Sequence, residues 1–503
     1  MQLSNTYIKI IFGLKLKQLR ILNKLSISQL AKKSGISISY LNEIENGKKY
    51  PKHDKIAVLA TTLNTSYDNL VSLKLTKKLK PIADLLESNI LELLPLDHYG
   101  IDLNKLVVLL SNASLPLSAL VSTLVELAKN SEMSEQNFSR TALRTYKEFN
   151  ENYFEELENN SDKFISEYIN NYSIPLESKV LENILISNYN YIIDNDTLNA
   201  YPELSEIRSI IVPGKKNKLL LNKNLSEPQK TFALGKELGY NYLEIKDRNL
   251  AYSQMKVDSF DQLLNNFKTS YFSSALMMDR NTFFDDLKKF FIQTKWDSKS
   301  LQSIFDKYNV SPEMAFQRIS ALASKFFNLN SMFYLRFNTT NDNQEYSLIK
   351  ELRLNLTENP GGYATDEHYC RRWISLDMLK QAKIFGDKND YKKLFIESQI
   401  SEFMVSKNKY FCISVGSSNA PLRKTYSSVT LGFLINENFK NHILFWNDPL
   451  INTKKVNDTC ERCSISNCEE RAANPTRADE HSKSNNIRKT ILEIINKVNE
   501  QKK

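Results

Sequence analysis

Residues 26–47, SISQLAKKSGISISYLNEIENG, constrain this 503-residue chain more than any other stretch. They read as two short helices joined by a tight turn. Ser26 and Ser37 stand where N-caps are wanted, because a short hydroxyl side chain accepts from the orphan N–H groups of a first turn. Gly35 supplies the turn itself. Leu30, Ala31, Ile36, Leu41 and Ile44 fall on the inward faces of the pair. Ser39, Asn42 and Glu43 fall on the outer face of the second helix. A helix with a polar outer face and basic flanks fits the major groove of DNA. An ordinary helical hairpin is the plain alternative.

Charge separates the two readings. Residues 1–80 hold 15 Lys+Arg and 4 Asp+Glu, a net of +11, whereas the whole chain is +9. Residues 81–503 are therefore at −2. Confinement of the excess to one end is the footprint of a phosphate-binding module.

A chain this long implies about three domains. Its 41% hydrophobic content argues for folded structure. No run is long enough to span a bilayer, so no membrane is expected. The apolar patch at 8–12 is too short for a signal peptide and leads straight into the first helix. Five Cys in so large a chain make no disulfide scaffold. Three of them cluster near the end, which points to a metal site in a reducing compartment and a cytoplasmic, bacterial-like protein.

Helices are expected over 7–75, with KLTKKLK at 74–80 as the boundary. The apolar spacing of ADLLESNILELLPL and LSALVSTLVELAKN makes 81–165 a helical linker and dimerisation region. RSIIVPG and KLLLN form a hairpin around GKKN, followed by a helix over 227–243 and further helix over 261–335. MFYLRFN, KYFCISVGS and VTLGFLIN are strands. An amphipathic helix over 486–499 carries Ile487, Ile491, Ile494, Ile495 and Val498 on one side. It is either a docked terminal helix or a dimer contact.

Two stretches carry chemistry. In EPQKTFALGKELGYNYL (227–243), zinc catalysis would need His one turn apart with a Glu beside the first. Lys236 and Tyr240 stand at those positions and only Glu237 remains. Hydrolysis then lacks an activated water. An adjacent Lys236–Glu237 is read as a surface pair. In the second stretch, Cys460-x2-Cys463-x4-Cys468 is a compact thiolate set with Cys370 as the natural fourth. Four thiolates suit a [4Fe–4S] cluster or structural zinc. Cys412 is a small buried hydrophobe. Arg371 and Arg372 suit phosphate but equally suit an ion pair with Asp366 or Glu367.

Residues 26–47, with Glu45-Asn46-Gly47 closing the second helix and Pro51 beyond, closely resemble the helix-turn-helix of the phage-repressor-like (XRE/Cro) family. Matching to that motif implies phosphate contacts from Gln29 and Lys48, and Ser37, Ile38, Ser39, Asn42 and Glu43 at or near the base edges. The 227–243 stretch resembles the active helix of the ImmA/IrrE metallopeptidase-like family, and NNFKTSYFSSALMMDR (265–280) its third-ligand helix, without the carboxylate. The cysteine set followed by Arg471, Ala472, Ala473 and Pro475, with Cys370-x2-Trp373 upstream, is similar to the C-terminal domain of short-chain fatty-acyl transcriptional regulators. That order covers nearly the whole chain. Arg371-Arg372 departs from it, where a less basic pair is expected.

The expected architecture is multidomain, mainly α with α+β. It comprises an all-α helix-turn-helix (1–80), the helical linker (81–165), a degenerate ImmA/IrrE-like domain (166–325), an α+β sensor domain (326–485) and a final helix (486–503). The resemblance implies a non-enzymatic regulator of acetate or propionate metabolism. It would bind double-stranded operator DNA as a homodimer. It would sense short-chain acyl-CoA near Arg371, Arg372 and Trp373. The metal centre would lie on Cys370, Cys460, Cys463 and Cys468. The alternatives are an ImmA/IrrE-type metallopeptidase and a phage- or toxin-linked repressor acting through a protein partner.

Overall fold

A computed structural model describes residues 5–72, 96–103, 105–106, 123, 135–169, 172–252, 259–340, 346–356, 367–386, 393–418 and 425–500. The chain divides into two compact units, Met1–Leu143 with Val257–Leu263, and Arg144–Lys256 with Leu264–Lys503.

In the first unit, five helices run α1 (Asn5–Leu22), α2 (Ile27–Ser34), α3 (Ile38–Glu45), α4 (His53–Thr62) and α5 (Tyr67–Val71). Phe12, Leu16, Leu30, Ile36, Leu41, Ile44, Ile56, Leu59 and Leu70 form their common core. Both expected N-caps are present: Ser26 accepts from the Gln29 N–H and Ser37 from the Tyr40 N–H. Gly35 turns the chain at φ 66°, a left-handed conformation that a side chain would resist. Gly13 serves a different end. A Cβ there would drive into the Ile44 carbonyl, so α1 and α3 meet backbone to backbone. Arg20 grips the end of α3, donating from Nε and Nη2 to the two Glu45 oxygens at 2.6 and 2.8 Å. The buried Lys15 spends its ammonium on the end of α5, at 2.7 Å from the Asn69 carbonyl. The boundary at 74–80 and nearly all of the two linker stripes lie outside the described residues.

The second unit takes up the chain within α6 (Glu135–Phe149). It continues through α7 (Glu155–Tyr168), α8 (Ser178–Tyr189), β1 (Tyr191–Asp194), β2 (Ser209–Val212), β3 (Asn217–Leu221), α9 (Glu227–Tyr242) and β4 (Ala251–Tyr252). Four helices follow: α10 (Phe260–Met277), α11 (Arg280–Phe291), α12 (Ser298–Tyr308) and α13 (Pro312–Phe327). The last part runs β5 (Met332–Thr340), β6 (Ser347–Leu354), α14 (Ile374–Gly386), β7 (Phe395–Phe403), β8 (Lys409–Ser418), β9 (Thr425–Leu434), α15 (Glu437–His442), β10 (Asn452–Val456) and α16 (Thr476–Glu500).

Two sheets result. The smaller has the order β1-β3-β2-β4, with β2 and β3 as the expected hairpin. Leu219, Leu221, Leu234, Leu238 and Phe272 pack this sheet against α9 and α10. The larger has the order β10-β7-β8-β9-β5-β6. Side chains alternate across it, as the pleat requires. Tyr334, Phe411 and Phe433 join Phe316 and Leu322 of α13 on one face. Phe333, Leu335, Phe337 and Cys412 join Trp373, Leu376 and Leu379 on the other. Cys412 is thus the buried strand residue expected. α16 begins at Thr476, ten residues before the expected start, and its Ile487, Ile491, Leu492, Ile494 and Ile495 are exposed, which disfavours the docked-helix reading.

Helices α7, α10 and α13 are joined by an ion pair with almost no solvent contact. Arg318 pairs through Nη1 and Nη2 with both Glu158 oxygens, the second at 2.9 Å, and its Nε donates to the Met278 carbonyl at 2.9 Å. Tyr271 donates to the same carboxylate at 2.6 Å. Glu158→Ala strands the buried guanidinium, and an orphaned charge of that kind costs about 3–5 kcal/mol. The expected readout is a lower urea midpoint at unchanged slope.

Candidate functional site

The capping and packing of α3 dictate which side chains it presents. Leu41, Ile44 and Glu45 are buried, so Ile38, Ser39 and Asn42 face outward and are exposed, with Ser37 and Lys48 exposed at the two ends. Gln29 is exposed on α2, and its side-chain oxygen closes a capping box on the Ser26 N–H at 2.7 Å. Glu43 is half-buried and ion-paired with Lys49 at 2.8 Å, so a base contact from it competes with that pair. Of the expected DNA-facing residues, Gln29, Ser37, Ile38, Ser39, Asn42 and Lys48 are exposed and Glu43 is half-buried.

A second site is built around α9. The sequence reading of Lys236 and Glu237 as a surface pair is wrong, because both are buried. Glu237 turns instead to Arg248, which donates from Nη1 and Nη2 at 2.7 and 2.5 Å. Tyr191 also donates to Glu237, at 2.7 Å. The Arg248 guanidinium lies 3.9 Å from the Tyr240 ring centre. Lys236 donates to Asn266 on α10, and its Nζ lies 5.9 Å from the centre of the same Tyr240 ring. Burial pushes the Lys236 amine well below the ordinary lysine range, and Arg248, Lys350 and Arg208 push it further. Lys350 and Arg336 both pair with Glu313. Burial alone would raise the Glu313 carboxyl, yet Arg336, Lys350 and Arg208 hold it well below the usual range. The result is a cationic group in which Glu237 has both oxygens engaged and serves poorly as a general base.

The cysteines come from two segments that pair. Tyr369 bridges Thr459, the Cys370 N–H donates to the Asp458 carbonyl at 3.1 Å, and the Cys460 N–H to the His368 carbonyl at 2.8 Å. Cys370 is buried beside Cys460 and Cys463. Burial, with smaller pushes from those two sulfurs, raises its thiol to about 11. Arg471 wraps the Cys460–Cys468 loop through the carbonyls of Cys460, Cys463 and Ile465. Cys468 is half-buried. Among the described residues, no three His, Cys, Asp or Glu side chains stand in a metal-holding arrangement. The donor types are nonetheless those of a thiophilic metal.

The expected effector residues are differently employed. Arg371 lies over the Tyr346 ring at 4.3 Å, and Arg372 is half-buried. Neither takes Glu367, which pairs with Arg462 at 2.8 Å and accepts from Thr459. Asp366 lies outside the described residues. Trp373 is buried and donates from Nε1 to the Asn457 carbonyl at 2.9 Å. It lines a cavity of about 10 Å³ with Phe333, Leu335, Ser401, Cys412 and Thr430, at the limit for a single water.

Residues 16–70 match the helix-turn-helix family, and residues 201–320 match the IrrE N-terminal-like domain. The chain carries both domains. Over 62 residues it is 45% identical to an uncharacterized HTH-type transcriptional regulator, RghRB, of Bacillus subtilis (strain 168). That match covers 12% of this chain and 45% of the relative, so the chain spans under half of the relative's length. A solved Mycobacterium tuberculosis transcriptional regulator superposes with a TM-score of 0.46 at 14% identity, over 66% of this chain and 92% of that one. The helix-turn-helix domain holds α3 through Gly13, Arg20 and Glu45. The IrrE-like domain holds Arg248 and Asn266, which no motif spacing announces because each arrives from outside α9. Among the described residues, no helix is long and apolar enough to cross a membrane.

A lysine whose pKa is depressed on folding leaves the unfolded chain binding more protons between the two values. Stability therefore rises with pH up to the ordinary lysine value of about 10.4. Relative to Lys236→Met, the parent gains stability from pH 7 to pH 10. Urea midpoints across that range check it, and parallel profiles would show that Lys236 is not depressed.

Proposed function

We propose that the protein is a transcriptional regulator that reads operator DNA through α3. The observation that carries this reading is the exposed face of Ile38, Ser39 and Asn42 on a helix whose other side is locked into a core, in the N-terminal segment that carries a net charge of +11. A single short recognition helix spans a half-site, so two copies act together on a symmetric operator. In the full chain, Asn42→Ala relaxes specificity and costs about 1–3 kcal/mol on the matched site, as loss of a base contact does. Lys48→Ala weakens binding to all sequences and flattens the salt slope. Electrophoretic shifts over a salt series separate the two effects, and full promoter affinity after deletion of residues 1–80 would sink the assignment.

The resemblance to short-chain fatty-acyl regulators supports acetate or propionate metabolism as the regulated process and short-chain acyl-CoA as the effector. Arg208, Arg248 and Lys350 around α9 are an alternative to Arg371 for the phosphates of such a ligand. The cavity beside Trp373 is too small for an acyl chain unless the Trp373 segment moves. A peptidase reading is disfavoured by Lys236 and Tyr240 at the ligand positions and by the engagement of Glu237 with Arg248.

In the same reading, Cys370, Cys460, Cys463 and Cys468 hold a metal centre, a [4Fe–4S] cluster in preference to zinc on the strength of the resemblance. Such a centre would cross-link the Cys370 segment to the C-terminal loop, its binding free energy acting as folding free energy. Single Cys→Ser variants purified without oxygen and assayed for iron, sulfide and zinc test the set. Cys412→Ser keeps the metal, whereas each of the other four loses it. Metal-free parent protein would remove the centre altogether.

A further inference from the structure

Helix α16 is anchored near its start, where the Ala478 N–H donates to the Glu461 carbonyl at 2.9 Å. Beyond that point Ile487, Ile491, Leu492, Ile494 and Ile495 are between 49% and 54% exposed. Ile487, Ile491 and Ile494 are spaced four and three apart, and Val498 continues the series in the sequence. That alternation is the seam of a coiled coil, with β-branched side chains at the seam positions. A continuous aliphatic stripe on an otherwise polar helix marks an interaction surface.

The occupant follows from three observations. A four-three seam packs best against a helix with the same spacing. Elsewhere among the described helices, large apolar side chains are exposed singly or as one adjacent pair, as at Ile21 and Leu22, so none offers a matching stripe. Residues 476–500 hold five Lys+Arg and four Asp+Glu, a balance that attracts neither nucleic acid nor an anionic membrane but lets like meet like. We propose that α16 pairs with α16 of a second copy of this chain through Ile487, Ile491 and Ile494. The pairing is isologous, with the same patch used on both copies. It rests on the regulator reading in one respect, because two copies on a symmetric operator need something to join them.

Light scattering of the full chain without DNA tests the pairing. The parent has twice the chain mass. I491D/I494D, altered only at exposed positions, has the mass of one chain with an unchanged far-ultraviolet circular dichroism spectrum. I491K/I494K behaves likewise, and mixing the two restores the double mass in either helix orientation. A parent of single-chain mass, or an aspartate variant that keeps the double mass, overturns the proposal. So does a single-chain parent that binds vesicles of anionic lipid. Operator binding is measured separately. A paired parent that ignores operator DNA leaves the pairing standing and removes the regulator reading, so the two failures are distinct.

Discussion

Two buried carboxylates in the second unit each depend on a guanidinium brought from elsewhere in the chain. Glu158 on α7 waits for Arg318 on α13, and Glu237 on α9 waits for Arg248 beyond the helix end. A carboxylate out of water is tolerable only when its oxygens are all taken, and bidentate arginine does this in one step. Tyr271 and Tyr191 take the remaining lone pairs. The helices around these pairs are thus placed by charge as well as by apolar packing. A chain that gathered the same aliphatic residues without the two arginines would bury two uncompensated charges.

Much of the fold is legible in the sequence because its signals are local. Ser26, Ser37 and Gly35 announce the helix-turn-helix through capping and turn chemistry that needs no distant partner. The hairpin around 213–216 and the helix over 227–242 follow from alternation and from helical spacing. The strands β6, β7 and β10 escape such a reading. β6 carries Lys350, Glu351 and Arg353, which suit an edge strand but blur the apolar alternation. The Cys370 segment is legible as a metal-ligand candidate, yet its meeting with 458–460 is a tertiary fact written in no spacing. Arg20, Gly13, Arg248 and Asn266 belong to the same class: each acts on a partner more than ten residues away.

The surroundings of α9 show an IrrE-like domain built without a pair of imidazoles on this helix. Two positions that would offer imidazoles offer an amine and a phenol, and a guanidinium satisfies the glutamate that would otherwise activate water. With Lys236 and Tyr240 at these positions and Arg248 on Glu237, α9 offers no pair of imidazoles to a metal. Burial and cationic neighbours push the Lys236 amine well below the ordinary lysine range, so a negative charge beside it would favour its protonation.

The contact of α1 with α3 at Gly13 has a mechanical consequence. Backbone against backbone leaves no side chain to rotate and no gap to close, so α3 has no soft direction in which to tilt within its own domain. Any signal from the rest of the chain must then arrive as a displacement of the whole five-helix block. On the proposed regulator reading, with two copies on a symmetric operator, what remains adjustable is the spacing and angle between two such blocks, and hence which separation of half-sites they fit.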